Sequence, residues 1–400
     1  MCSLMNLMQN KNIDFKRIQE AIVLFAVACL TISYFGGYYL LITTIGHHSR
    51  LLRQIGVALL FCKLVTTRYS KREFGWVALL LILALTNYQY SGNTRAIYNA
   101  LMICSLKDVD LKKVLKVSFY SIAFIIALLG VLAVFGITGT LSVTENFGRG
   151  DMSSDFSAVE TRFYMGYIHP NTWAHAMFSA MLLGVAAFWE KLDWKGIFVL
   201  ALVNYLVYEL AASRTSFICG CLLCLSVFLA KYISKLWELW ITKTGIVAGV
   251  VAAWAIIFTA RVDFEDNLRW ELIDWKLFTG RIVQAKAYLE SCGLSMFGKN
   301  VPDQLDNGYI LDMGYMRMLL ENGIIIYVLM FAVTIAILIY ALKHRRNDIV
   351  VVVICISLYG IYENLAISQI PANLILYFAA IGLFGRRGKA TLLASAGDSC

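Results

Sequence analysis

Long apolar runs recur along the chain, separated by short clusters of charged residues. By length they predict about twelve helices of roughly 16 to 25 residues, the size that crosses a hydrocarbon layer. The runs cover 20–45, 51–66, 74–91, 95–106, 115–140, 170–190, 194–212, 215–232, 244–260, 315–342, 348–365 and 370–385. The predicted fold class is all-α, a single polytopic integral membrane domain over 1–400 with no soluble appendage. Two connections are long, 141–169 and 261–314. No internal repeat and no pair of matching interrupted helices is visible, features that many secondary transporters carry. The first run, Ala21 to Ile45, is about twice the length of a signal-peptide core, so it is expected to stay as a span.

Composition agrees with this pattern. Hydrophobic residues make up 60% of the chain and charged residues 15%, against about 25% charged in soluble domains. Most of the 10 cysteines sit inside apolar runs and read as packing residues rather than a disulfide framework. Cys219, Cys221 and Cys224 are spaced like metal ligands but lie in a span with no histidine, which argues against zinc.

Charge orients the predicted helices. With the N-terminus inside, the inner segments carry Lys11, Lys16 and Arg17; Lys63, Arg68, Lys71 and Arg72; Lys107, Lys112, Lys113 and Lys116; Lys191 and Lys195; Lys231, Lys235 and Lys243; Lys343, Arg345 and Arg346; and Arg386, Arg387 and Lys389. Every inner connection is basic, as the positive-inside rule requires, and both termini are expected to be cytoplasmic. The net charge of +9 then faces anionic inner-leaflet lipid, which leaves no reason to invoke nucleic acid.

The basic residues expected outside differ in kind. They are Arg50, Arg53, Arg95, Arg149, Arg162, Arg214, Arg261, Arg269, Arg281 and Arg317, with only Lys276, Lys286 and Lys299 as lysines. A guanidinium binds phosphate through two parallel hydrogen bonds and keeps its charge when partly desolvated. The bias points to a phosphate-bearing ligand; pairing with loop carboxylates is the alternative for any one of them.

The polar constellations cluster at these outer positions. Gly166-Tyr-Ile-His-Pro-Asn171 places His169 just before a helix that Pro170 starts. There His169 either serves chemistry beside an anion at the helix end, with Arg162 seven residues earlier, or simply caps the helix. Glu209 and Arg214 bracket the outer end of the seventh run; a carboxylate in a membrane helix is a functional candidate by default, and a structural ion pair is its rival. Gly280-Arg281 opens a predicted helix through Glu290, and Asp306-Asn307-Gly308-Tyr309 is a turn sequence, with Asp312 leading into the next span. Arg317 and Glu321, four apart, are expected to pair.

These segments together resemble the Wzy-type polysaccharide polymerases, within the broader group that includes the O-antigen ligases. The resemblance rests on residues 166–171, Ser213-Arg214-Thr215, Gly280-Arg281 ahead of Phe297-Gly298, and Asp306-Asn307-Gly308-Tyr309 followed by Arg317-Met-Leu-Leu-Glu-Asn-Gly323, and it spans about 90–385. It implies a GT-C-like, metal-independent membrane glycosyltransferase without a cofactor. Such an enzyme moves a growing glycan from undecaprenyl pyrophosphate to the non-reducing end of another lipid-linked repeat unit, at the outer face of the cytoplasmic membrane. A chain-length regulator and a flippase are the expected protein partners.

That chemistry needs cations on the departing pyrophosphate, a base for the acceptor hydroxyl and a cleft that holds both lipid-tethered substrates. Arg162, Arg214 and Arg281 are the expected cations, backed by Lys299. His169 is the first choice of base, with Asp306 and Glu209 as alternates. Asn171, Asn307 and Tyr309 are expected to contact substrate. The chain departs from the ligase pattern in one respect: no histidine occurs between 261 and 314, where ligases carry an important one. An O-antigen-type ligase and a transporter or flippase of lipid-linked sugars are the competing functions. A flippase would concentrate charge along the middle of its spans, whereas here charge gathers at outer ends and loops.

Overall fold

The computed structural model describes residues 2–37, 44–137, 139–146, 159–262 and 268–384. Arg149 and the basic group Arg386, Arg387 and Lys389 lie outside the described residues.

The chain is mostly helical. In order the helices are α1 (Cys2–Gly37), α2 (Thr44–Thr66), α3 (Lys71–Ser91), α4 (Arg95–Ser105), α5 (Leu111–Val134), α6 (Pro170–Phe188), α7 (Trp194–Ala211), α8 (Arg214–Tyr232), α9 (Ser234–Glu238), α10 (Trp240–Ala255), α11 (Leu268–Ile273), α12 (Arg281–Cys292), α13 (Gly314–Lys343), α14 (Asn347–Tyr362), α15 (Leu365–Ser368) and α16 (Leu374–Phe384). The first long connection departs from the all-α expectation. It holds an antiparallel pair, β1 (Ser142–Asn146) and β2 (Val159–Phe163), in register from Ser142 opposite Phe163 to Asn146 opposite Val159. Val143, Thr144, Val159 and Thr161 favour strand, and Thr144 and Thr161 join through their hydroxyls at 2.8 Å.

Among the described residues, 8 helices are long and apolar enough to cross a membrane: Phe15–Gly37, Lys71–Ser91, Leu111–Val134, Pro170–Lys191, Trp194–Ala211, Arg214–Tyr232, Trp240–Arg261 and Gly314–Lys343. The other apolar runs form α2, which carries Arg50, Arg53 and Lys63, and the short helices α4, α14 and α16. At 11, 16 and 11 residues these three are about 16, 24 and 16 Å long, against about 30 Å of hydrocarbon.

The chain divides into two compact units. One comprises Met1–Phe25, Val57–Leu111 and Tyr232–Cys400. At its centre is α14, whose residues from Ile349 to Ser357 are all buried, packed by α10, α13 and α16. An all-apolar helix can be a core helix as readily as a lipid-facing one, and α14 is the former. In α3 the buried residues Val77, Ala84, Asn87 and Ser91 make one stripe, while Leu79, Ile82 and Leu85 remain exposed.

Helix α13 is interrupted. Gly323 has φ 80° and ψ 169°, which splits it into a short arm, Gly314 to Asn322, and a longer arm, Ile324 to Lys343. The segment from Ser295 to Lys299 fills the break: Lys299 N donates to Leu320 O at 2.9 Å, Ile324 N to Ser295 O at 3.0 Å and Ile325 N to Met296 O at 3.2 Å. Asn87 Nδ2 completes the seal by donating to Phe297 O and Glu321 O, each at 2.8 Å. Non-helical backbone at membrane depth is tolerated only where such partners exist.

The other unit comprises Ala26–Gly56 and Lys112–Lys231. Here α6 is the most enclosed helix, while α5 and α7 expose apolar faces such as Phe124, Val131, Phe198 and Val199. The α7–α8 pair is tight: a β-carbon at Gly220 would lie 2.0 Å from Asn204 Oδ1, and Asn204 Nδ2 donates to Phe217 O at 3.0 Å.

Candidate functional site

Five of the sequence candidates, Arg162, His169, Asn171, Glu209 and Arg214, fall in the second unit, and Arg281, Lys299, Asp306, Asn307 and Tyr309 fall in the first.

In the 166–171 stretch each residue has a local job. Gly166 has φ +83°, and a β-carbon there would lie 2.6 Å from Leu129 O of α5, so only glycine lets the loop approach. Tyr167 is buried, and Pro170 occupies the first turn of α6. His169 is extended and caps that helix, its Nδ1 accepting from Asn171 N at 3.2 Å. The neutral ring therefore carries its proton on Nε2, so in this state it offers a donor rather than the lone pair a base needs. Asn171 Oδ1 is buried with no hydrogen-bond partner among the described residues.

Arg162 lies on β2 and is buried, with Nε and Nη2 at 3.0 and 2.6 Å from Glu160 Oε2. An acid thus already occupies this cation. Arg214, by contrast, is exposed at the start of α8, with no acid paired to it among the described residues. Beside it Ser213, buried, donates to Ser216 Oγ at 3.2 Å. Glu209 is exposed, and its partner is the Tyr205 hydroxyl one turn earlier.

In the first unit the candidate turn is held by its own residues. Asn307 Oδ1 accepts from Tyr309 N at 3.1 Å, and Tyr309 O accepts from the buried Tyr288 hydroxyl at 3.1 Å. Asp306 is exposed in that turn. Lys299 Nζ donates to Cys292 O at 2.5 Å, closing the last turn of α12, a capping role that fits a cation at a helix C-terminus.

Arg281 is the meeting point of three elements. Asp274, buried, accepts from Ile282 N and Val283 N at 3.0 Å each, which caps α12 and fixes Arg281 in its first turn. Arg281 Nε donates to Tyr362 O at 3.0 Å, the end of α14, and Nη1 donates to Phe278 O at 3.3 Å and to the Thr279 hydroxyl. Nη2 lies 3.8 Å from Asp312 Oδ2 and 3.6 Å from Glu363 Oε1. Glu363 comes there because Gly314 abuts the end of α14: a β-carbon at Gly314 would be 2.7 Å from Glu363 O and 2.8 Å from Gly360 O. Asn364 Nδ2 adds a 3.1 Å bond to Leu311 O. Phe278 and Tyr362 stack beside the guanidinium, centroids 5.7 Å apart and planes 18° apart.

Two carboxyls thus share one cation at the electronegative end of a helix. Glu363 has a 12% exposed side chain and Asp312 a 44% exposed one. Burial, with the Asp312 charge beside it, pushes Glu363 up to about 8, while burial raises Asp312 against the pull of Arg281 and Arg317. Both carboxyls are thus pushed towards the neutral form, and Glu363 is the more enclosed of the two.

The expected Arg317–Glu321 pair is present, Nε to Oε1 at 2.7 Å, and it is larger than expected. Arg95 Nη1 reaches Glu321 Oε2 at 2.6 Å, Asn93 Nδ2 reaches the same oxygen at 3.1 Å, and Arg317 Nη2 reaches Asp303 at 2.8 Å. Next to this network a small apolar cleft of about 70 Å³ opens between α3, α4 and α13, lined by Leu83, Ala96, Ile103, Met318, Ile326 and Leu376.

Sequence reasoning missed Glu363. The signal was available, since it is a carboxylate at the edge of an apolar run, the same argument that singled out Glu209. No protein-family model matches the chain, and no curated protein or solved structure matches it.

Proposed function

We propose that the chain polymerises lipid-linked oligosaccharide repeat units, transferring a growing glycan from undecaprenyl pyrophosphate to the non-reducing end of another unit. The reaction takes place at the outer face of the cytoplasmic membrane, with both termini cytoplasmic and a GT-C-like helical frame. The observation that carries this reading is the Arg281 centre. A guanidinium, two carboxyls and a stacked aromatic pair converge where the 261–314 connection meets the end of α14. These are the groups that a glycosyl transfer from diphosphate requires: charge for the leaving group, an acceptor for a proton, and a face for a sugar ring. In the other unit, taken by itself, Arg214 is an exposed guanidinium at a helix start.

An interrupted helix is a feature of many transporters, but the backbone groups freed in α13 are bonded to the 295–299 segment, which favours the enzyme. The test is elongation of a purified lipid-linked repeat unit by the purified full chain. A ladder of lengthening products is expected; single units recovered unchanged would defeat the reading.

A further inference from the structure

The Arg281 centre holds more carboxyl groups than a phosphate clamp needs, and their placement is uneven. Asp312 lies two residues before α13, half exposed; Glu363 follows the last residue of α14, enclosed. Both face the same Nη2 of Arg281, at 3.8 and 3.6 Å. The other donors of Arg281 are spent on Tyr362 O, Phe278 O and the Thr279 hydroxyl, so this side chain is held in place from the protein side. With both carboxyls ionised the centre would carry net negative charge against the carbonyl end of α14, which disfavours that state. With Glu363 neutral, Arg281 and Asp312 form a balanced pair, and the Asp312 side chain stays partly exposed.

We infer that Asp312 is the catalytic base of the proposed transfer, and that Glu363 is a positioning residue whose proton leaves the charge of Arg281 free for the departing diphosphate. The inference rests on the polymerase reading and deepens it. In the step, the acceptor hydroxyl loses its proton to Asp312, and its oxygen bonds the anomeric carbon of the donor. The bond from that carbon to the diphosphate oxygen breaks, and the diphosphate leaves with the electron pair. Once Asp312 is neutral, Arg281 has no ionised partner, so a positive charge appears beside the site just as negative charge develops on the leaving group. An ionised Glu363 would cancel it. The charged groups that bear on the pair are Arg281 of α12 and Arg317 of α13. His169, whose Nδ1 is spent on its own helix, is not needed as the base.

The experiment is elongation of a lipid-linked repeat unit by the full chain in nanodiscs, across about pH 5 to 9, a range that brackets ordinary and raised carboxyl titrations. Variants are D312N, D312E and E363Q, each first shown to elute as the wild type does. D312N should slow elongation by about 100-fold or more, and D312E should recover part of the rate. The wild type should lose rate above about pH 8 as Glu363 ionises, and E363Q should not, so its ratio of alkaline to neutral rate should exceed that of the wild type. D312N at the wild-type rate, or an E363Q profile that overlays the wild type, overturns the assignment while the polymerase reading stands. If D312N does not fold, the E363Q profile alone decides. A wild-type chain that elongates nothing removes the polymerase reading and this assignment with it.

Discussion

Gly298 and Gly323 touch backbone to backbone: a β-carbon on Gly323 would lie 2.3 Å from Gly298 N, and one on Gly298 would lie 2.0 Å from Glu321 O. Both have positive φ, +95° and +80°. This contact lets the 295–299 segment enter the break in α13, and it joins two sequence segments that looked independent. Alanine at either position should therefore lower the melting temperature of the solubilised protein, by a cost of at least about 2 kcal/mol from strain and displacement. Gly245→Ala in α10, where nothing lies within 4 Å, should be neutral or slightly stabilising. Equal melting of all three would mean that the two glycines do not meet.

Glu321 neutralises two arginines while buried itself. Replacing it with glutamine should leave Arg95 and Arg317 without the carboxylate they share and cost about 3 to 5 kcal/mol. Asp303→Asn should change melting little, because that carboxylate is almost fully exposed. Thermal denaturation of both variants in one detergent measures the contrast, and a Glu321→Gln protein as stable as the wild type would show the network to be dispensable.

His169 has a cap role that is separable from any chemical one. Asparagine caps helices well, whereas alanine does not, so His169→Ala should destabilise α6 by about 1 kcal/mol and His169→Asn by less. Glycan length then reports the remainder. Long chains from the asparagine variant would limit His169 to capping; short chains from a stable asparagine variant would restore the ring to the chemistry.

Arg214 carries no structural burden visible among the described residues. Arg214→Ala should keep normal protein levels and lose long glycan, as read on a gel of cell-surface polysaccharide. Full-length glycan would take Arg214 out of the phosphate-binding set.

The Glu363 proton also affects stability. The folded chain holds a proton that an unfolded chain has released above the ordinary carboxylic-acid range. Stability should therefore decline as pH rises from that range towards about 8, then level off. Glu363→Gln should flatten this dependence in melting curves, and an unchanged slope would mean that the proton sits elsewhere.

Features that depend on neighbours in sequence were legible without coordinates. Apolar runs of sufficient length give the helices, because in lipid a backbone must bond to itself. Pro170 after His169 gives the start of α6, and a spacing of four gives the Arg317–Glu321 pair. The same reasoning could not tell the core helix α14 from a span, since apolarity is identical in protein and lipid surroundings. It did not see that Arg162 would meet Glu160 two residues away, because i and i+2 share a face only in a strand, and that connection was not expected to form one.

The sequence by itself determined that this is a helical, membrane-embedded chain with caps at set positions, since those follow from local chain chemistry and the cost of leaving peptide groups unbonded. Only the tertiary structure decided that Asp312, Glu363 and Arg281 share one spot and that Gly298 enters the break at Gly323. These residues lie far apart along the chain, and close backbone packing at glycines, which no local spacing encodes, brings them together.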